Sequence, residues 1–466
     1  MNALWTSNEI EQATLGQATQ GFTASGLSID TRTISPGDLF IAIKGESRDG
    51  HEYVSAALQS GAAAALVSRV PESLPAKSPL LVAANTQRAL EDLARAARAR
   101  THAQVVAVTG SAGKTTTKDM LRRALGALGL TAASAASFNN HWGVPLSVAS
   151  VPRKAAFGVF EIGMNHFGEI RALVDIVRPH VALITTIGAA HLEFFGSCEA
   201  IADAKSEVFE GLVSGGTALL PADSPYLDRL TARARQAGVT QIRTFGAKPG
   251  SDARLISVNQ IDGTISVEAD IFGRLCSIRV GAPGAHIALN AVATLAAVSA
   301  LGGNVEKAGA ALAEFEPLKG RGARFQVMRH GDRIVVIDES YNANPASMSA
   351  ALALLGSTPV ANRGRRLAVL GDMLEMGPQG PALHAALAQD IETAAVDCVF
   401  ACGTQMAALW DKLPELRRGA YGNTSNDIAP ALTAALRDGD VVLVKGSLGS
   451  RMAFIIDALR SCASAG

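Results

Sequence analysis

The chain has 466 residues, too many for one compact core, so several domains are expected. Apolar residues make up 48% and charged residues 18%, an ordinary globular composition that excludes a disordered chain. Lysine plus arginine equals aspartate plus glutamate at 42 each, which excludes a broad nucleic-acid or membrane-surface footprint and leaves room for a local phosphate pocket.

The opening Met1-Asn-Ala-Leu-Trp-Thr-Ser-Asn-Glu-Ile10 has neither a basic nor an apolar export region, so no signal peptide is expected. Short apolar runs then alternate with turns, as in Asp38-Leu-Phe-Ile-Ala-Ile43 followed by Lys44-Gly45. A proline-containing loop from Val70 to Pro79 precedes a strand from Leu80 to Ala83. A helix follows from Thr86 to Arg100, with Leu90, Leu93 and Ala97 on one face.

From Gln104 the apolar runs end abruptly in glycine or polar residues. Val105 to Val108 ends in Thr109-Gly110, Ala156 to Phe160 in Glu161, and Val181 to Ile184 in Thr185-Thr186. Such runs between helical segments predict a parallel sheet covered on both faces, with ligands at the carboxyl ends of its strands. The stretch from Ala288 to Leu301 is alanine-rich and carries Asn290, Thr294 and Ser299, so it reads as a buried helix rather than a membrane span.

After Pro317-Leu-Lys-Gly-Arg321 the pattern restarts. Ile334 to Ile337, Leu367 to Leu370, Val399 to Ala401 and Val441 to Val444 predict a second, Rossmann-like sheet. The expected fold is α/β in three domains: residues 1–84, 85–317 and 318–466. Five cysteines, at 198, 276, 398, 402 and 462, form no Cys-x-x-Cys pair, as expected of reduced thiols in the cytoplasm. Cys398 falls in a strand-like run, so no metal pair with Cys402 is expected.

The loop Thr109-Gly110-Ser-Ala-Gly113-Lys114-Thr115-Thr116-Thr117 carries the clearest chemistry. Its glycines let successive N–H groups face an anion, and the helix start adds its dipole. Gly110, Ser111, Ala112, Gly113 and Thr116 would cradle the phosphates of a nucleoside triphosphate, Lys114 would reach the β- and γ-phosphates, and Thr115 would ligate Mg²⁺. Val108 stands where the longer phosphate loop has its first glycine, so this is a shorter form.

Other candidates are weaker alone. Glu161 at a strand end suits a cation, or is a solvated loop residue. His191, in Gly188-Ala-Ala-His191-Leu-Glu193, is placed at another strand end, where it is a ligand or a structural histidine. Lys205, in Ala202-Asp-Ala-Lys205-Ser-Glu207, sits on a predicted helix, where lysine is ordinarily exposed. Asn139 and Asn140 orient a polar substrate or cap a turn. His286 and Asn290 share a helical face.

Taken in order, these motifs resemble the Mur ligases, ATP-dependent amide ligases of peptidoglycan precursor synthesis. Ser28-Ile-Asp-Thr-Arg32, Asp49-Gly-His51, Ser340-Tyr-Asn-Ala-Asn-Pro345 and Gly371-Asp-Met-Leu-Glu375-Met-Gly377 extend the likeness from Ser28 to Arg451. The last two resemble the branch that joins D-alanyl-D-alanine to UDP-N-acetylmuramoyl-tripeptide. The resemblance implies ATP at Lys114, with Asn290, Arg321, Tyr341 and Asn344 contacting the nucleotide. It implies Mg²⁺ at Thr115 and Glu161, and a second metal at His191 and Lys205, with a CO₂-derived carbamate on Lys205. Ser28, Thr31, Arg32, Lys44 and Gly45 would receive the uridine nucleotide, and Asn139 and Asn140 the peptides. Lys114, Glu161, His191 and Lys205 are the implied catalytic set, in an enzyme expected to be a monomer with neither nucleic-acid nor membrane partners.

Two positions depart from the family pattern. Glu339 stands where many relatives have aspartate, and Leu448 where relatives often have arginine, a contact that Arg451 would have to supply. Three other readings fit the motifs less well. A sister ligase adding the third amino acid usually carries an Asp-Asn-Pro motif, which is absent here. Folylpolyglutamate synthase lacks the Tyr-Asn-Ala-Asn-Pro motif. A nucleotide-switched binding module needs no second metal site.

Overall fold

The computed structural model describes residues 3–463 apart from 73, 135–136, 262, 330–331 and 362. One residue of the loop read from Val70 to Pro79, and the first two of the amino-terminal segment, lie outside the described residues. The chain forms three main sheets in sequence order.

The first sheet has five short strands in the order Gln17–Ala18, Leu80–Val82, Ala64–Val67, Asp38–Ile41 and Gly26–Ser28. All its pairings are parallel except the first. Asp38–Ile41 and Ala64–Val67 are buried at every residue, as parallel strands covered on both faces require. Helix Thr86–Arg100 then starts where the Asn85 side chain accepts the Arg88 N–H, and it buries Leu90, Leu93, Ala94 and Ala97. Trp5 ties this part to the next: its Nε1 donates to Ala149 O at 3.0 Å, and Arg100 lies 3.4 Å over its ring.

The central sheet has nine strands. From one edge they are Arg274–Val280, Thr264–Ile271, Ala253–Ile261, Gln241–Gly246, Thr217–Pro221, Val181–Ile184, Gln104–Thr109, Phe157–Glu161 and Thr131–Ala133. Seven run parallel, but Thr264–Ile271 and Arg274–Val280 add an antiparallel meander absent from the expected all-parallel sheet. The register places Glu161 beside Val108 and Ile184 beside Thr109, so these carboxyl ends open on one edge. Helix Ala285–Ala300 is buried around most of its circumference, which explains its alanine-rich sequence. Among the described residues no helix is long and apolar enough to cross a membrane.

The third sheet orders six strands as Ala323–Arg329, Asp332–Glu339, Val441–Lys445, Arg366–Gly371, Cys398–Cys402 and Arg418–Gly422. Only the edge strand Ala323–Arg329 is antiparallel. The carboxyl ends of Asp332–Glu339, Arg366–Gly371 and Val441–Lys445 supply Glu339, the loop after Gly371, and Lys445 to a cleft shared with the central sheet.

Candidate active site

Strand Gln104–Thr109 and helix Lys114–Gly126 flank the glycine-rich loop. Gly110 has φ +146°, and a Cβ there would lie 1.9 Å from Thr185 Oγ1. Gly113 precedes the helix with φ +80° and faces Asn290, so both positions need glycine. The neighbouring segment clamps the loop: Thr185 Oγ1 donates to Ala112 O at 2.5 Å, and Ser111 Oγ donates to Gly188 O at 2.9 Å. The helix N-terminus behind it is a ready anion site.

Lys114 bends back so that Nζ donates to Gly110 O at 2.7 Å. Burial lowers its pKa, the Glu161 carboxylate opposes that, and Arg321 adds to it; the net shift is downward. Glu161 is almost wholly buried. Thr115 Oγ1 donates to its Oε2 at 2.7 Å, and Asn139 Nδ2 donates to its Oε1 at 2.7 Å. A hydroxyl and a carboxylate held together beside a phosphate loop suit a hard cation that takes further ligands from phosphate and water. Among the described residues no three His, Cys, Asp or Glu side chains gather into a cage, so any cation would depend on such outside ligands.

The sequence pattern puts His191 at a strand end. The strand stops at Ile184, and His191 instead sits in the left-handed region (φ 61°) ahead of the short helix Leu192–Phe195. Its Nδ1 lies 2.6 Å from Glu375 Oε2 of the third domain, and this contact holds the Glu375 carboxyl below its usual range. Lys205, on helix Cys198–Ser206, is 1% exposed rather than solvated. Its Nζ is 3.6 Å from Met164 Sδ; burial, and then the charge of Lys114, push its pKa well down. Burial thus disfavours the charged form of this amine.

The third domain closes the cleft. Asn344 Nδ2 donates to Ser111 O of the phosphate loop at 2.9 Å, while its Oδ1 caps helix Pro345–Ser357 through Ser347 N. Arg321 donates to Ser137 Oγ at 2.9 Å and lies 4.1 Å over the Tyr341 ring. Asp338, fully buried, accepts Gly320 N and the Ser340 hydroxyl, which fixes the turns carrying Arg321 and Tyr341. Lys445 Nζ is 3.3 Å from Glu339 Oε2 and donates to Asn342 O at 3.0 Å. The cleft has a volume of about 710 Å³.

Comparison with known proteins bears on this arrangement. The Mur ligase middle-domain profile matches residues 108–298, the Mur ligase glutamate ligase domain profile residues 323–448, and the Mur ligase catalytic-domain profile residues 23–98. A Rickettsia prowazekii protein named UDP-N-acetylmuramoyl-tripeptide–D-alanyl-D-alanine ligase is 31% identical over 97% of this chain and 99% of its own length. The chain belongs to the Mur ligase family.

A Bacillus subtilis ligase of the same name is 34% identical over 93% of each chain. Among solved structures, MurF from Acinetobacter baumannii superposes with a TM-score of 0.84 at 30% identity, covering 98% of this chain and 99% of that one. MurF from Thermotoga maritima, solved with ADP, has a TM-score of 0.78 at 25% identity, covering 94% and 98%. The three-domain α/β architecture is thus that of the Mur ligases.

Within this Mur ligase, the cleft brings together Ser111, Ala112, Gly113, Lys114, Thr115, Thr116, Asn139, Glu161, His191, Asn290, Arg321, Tyr341 and Asn344. Gly110 shapes the loop from behind, and Lys205 lies behind Met164, outside the lining. Asn140 caps the turn at Trp142 and Gly143 instead of facing the cleft. Ser28, Thr31, Arg32, Lys44 and Gly45 also lie away from the cleft, on the first sheet and its loops. Gly45 nonetheless approaches the loop that carries Asn139 and Asn140, since a Cβ there would come within 3.3 Å of Trp142. Leu448 lines the cleft and Arg451 does not, so Arg451 does not replace the family arginine there. Sequence reasoning assigns no role to Glu375 or Lys445, although each lies at or just after the end of a strand-like run.

Proposed function

We propose that this chain joins D-alanyl-D-alanine to UDP-N-acetylmuramoyl-tripeptide with ATP, giving UDP-N-acetylmuramoyl-pentapeptide, ADP and phosphate in peptidoglycan precursor synthesis. The observation that carries this reading is the bond from Asn344, in the Tyr-Asn-Ala-Asn-Pro motif, to Ser111 of the phosphate loop, which places both signatures on one cleft. The names of the relatives point the same way.

A carboxylate resists attack by an amine because an oxide is a poor leaving group. The tripeptide carboxylate oxygen therefore attacks the γ-phosphorus of ATP, the bond to ADP breaks, and an acyl phosphate forms. The dipeptide amine then attacks the acyl carbon and loses a proton, and the tetrahedral intermediate expels phosphate. Lys114 neutralises the charge where two anions meet, and the clamped loop N–H groups orient the phosphates. The docked third domain excludes water, which would otherwise hydrolyse the acyl phosphate.

Thr115 and Glu161 would hold Mg²⁺, and His191 and a carbamate on Lys205 a second ion; such ions supply charge neutralisation between the phosphates. The buried, neutral-leaning Lys205 amine supports the carbamate, which forms when its nitrogen attacks CO₂ and releases a proton. In this reading Asn290, Arg321, Tyr341 and Asn344 contact the nucleotide, Asn139 contacts the peptides, and Asn140 serves them only by holding the turn of the same loop. Ser28, Thr31, Arg32, Lys44 and Gly45 receive the uridine nucleotide. We assign the domains as 1–84, 85–317 and 318–466, acting in a cytoplasmic monomer; one copy supplies both walls of the cleft, so the site needs no residue from a second.

The test is substrate omission, run with the lysine and the diaminopimelate tripeptide in turn. Phosphate release should require ATP, UDP-linked tripeptide and D-alanyl-D-alanine together. Equal turnover without the dipeptide would refute the assignment.

A further inference from the structure

The motif Gly371-Asp-Met-Leu-Glu375-Met-Gly377 has no part in the mechanism above, yet it is firmly anchored. Met373 N donates to His384 Nε2 at 2.8 Å, Leu374 N donates to Ser447 Oγ at 2.9 Å, and Ser450 Oγ donates to Asp372 O at 3.0 Å. These bonds fasten the loop to the third domain. At its tip Glu375 takes a left-handed backbone, φ 63°, opposite His191 at φ 61°. Non-glycine residues adopt that conformation rarely and keep it where the surroundings demand it.

The demand here comes from two contacts across the domain boundary. Glu193 N donates to Glu375 O at 3.0 Å, and His191 Nδ1 lies 2.6 Å from Glu375 Oε2, at contact distance although the ring N–H is not aligned on that oxygen and would need a small ring rotation to donate to it. A chance surface ion pair would need neither the main-chain bond nor two strained residues facing each other. A histidine that ligates a metal through one ring nitrogen commonly gives the other to a carboxylate, which fixes its tautomer and raises its basicity.

We propose that Glu375 is a positioning residue: it holds the His191 proton on Nδ1 and leaves Nε2 free for a divalent cation. The central domain carries the ligand and the third domain carries the group that orients it. The cation site is then complete only when the third domain is docked, and by linkage the cation favours docking to the same degree. This rests on the reading of His191 as a metal ligand, so the test keeps the two apart.

Mn²⁺ binding would be measured by electron paramagnetic resonance on the full-length wild type, E375A, E375Q and H191A, each with ADP. Small-angle scattering would be recorded with and without Mn²⁺. E375A should bind Mn²⁺ about ten-fold more weakly than wild type and lose any Mn²⁺-induced compaction. E375Q keeps an acceptor for the Nδ1 proton and should recover part of the affinity. Unchanged Mn²⁺ binding in a folded E375A, with H191A impaired, would overturn the inference and spare the metal reading. Unchanged binding in H191A would remove the metal reading itself. A loss of thermal stability in E375A and E375Q with wild-type Mn²⁺ binding would mark Glu375 as a purely structural contact and also overturn the inference.

Discussion

Gly110→Ala tests whether the loop is built around its glycines. The new Cβ would sit 1.9 Å from Thr185 Oγ1 and 3.0 Å from Thr186 N, on a backbone at φ +146°. A non-glycine residue in so unfavourable a conformation costs about 1–3 kcal/mol. Moving the Thr185 hydroxyl aside sacrifices the one hydrogen bond its proton makes, shared between Ala112 O and Thr109 O, at about 0.5–1.5 kcal/mol. The sum, about 1.5–4.5 kcal/mol, must appear as lost stability, or as a displaced loop whose nucleotide affinity falls by about ten-fold or more. Gly126→Ala is the control. It is the last residue of the helix that follows the loop, exposed, with nothing within 4 Å of the place its Cβ would take, and the change should leave stability intact or raise it by at most about 1 kcal/mol. Urea unfolding and ADP titration of both variants measure the contrast. A Gly110→Ala protein with wild-type stability and wild-type ADP affinity would refute the reasoning.

Asn344→Asp keeps the helix cap but places a carboxylate against the buried Ser111 O, so ATP affinity should fall about ten-fold and the melting temperature should drop as the third domain docks less tightly; titration and a thermal scan check both. Trp5→Phe removes the donor to Ala149 O and part of the ring under Arg100, and should cost about 2 kcal/mol or more in denaturant unfolding. Lys205 has its folded pKa depressed by burial and by Lys114, so between that value and the unfolded value the unfolded chain holds more of the proton. Stability relative to Lys205→Met should therefore rise with pH through that window, by at most about 1.4 kcal/mol per pH unit in CO₂-free buffer. Parallel stability–pH curves for the two proteins would contradict it.

The parallel strands are legible in the sequence because burial on both faces leaves unbroken apolar runs. Val105 to Val108 and Val441 to Val444 announce both their existence and the polar residue at each end. The strand Thr264–Ile271 alternates buried and less buried positions, a fainter signal than the unbroken runs beside it. The sequence places His191 one element too early because a short helix start after Gly188-Ala-Ala carries no periodicity of its own. Lys205 reads as an exposed lysine in any local window; its burial comes from Met164 and from packing that spans sequence-distant segments. Glu375 is out of reach for the same reason, since its partner lies in another domain and pairing at that separation leaves no local trace.

The bonds around Glu161 have a consequence for how the site meets its ligands. Lys114 and Glu161 flank one loop, yet each is held by a different partner: Gly110 O accepts from Lys114 Nζ, while Thr115 and Asn139 each donate to one oxygen of Glu161. Both side chains are therefore anchored in advance, and an arriving phosphate or cation exchanges existing hydrogen bonds for new ones instead of ordering loose side chains. The entropic cost of fixing them falls on folding rather than on binding.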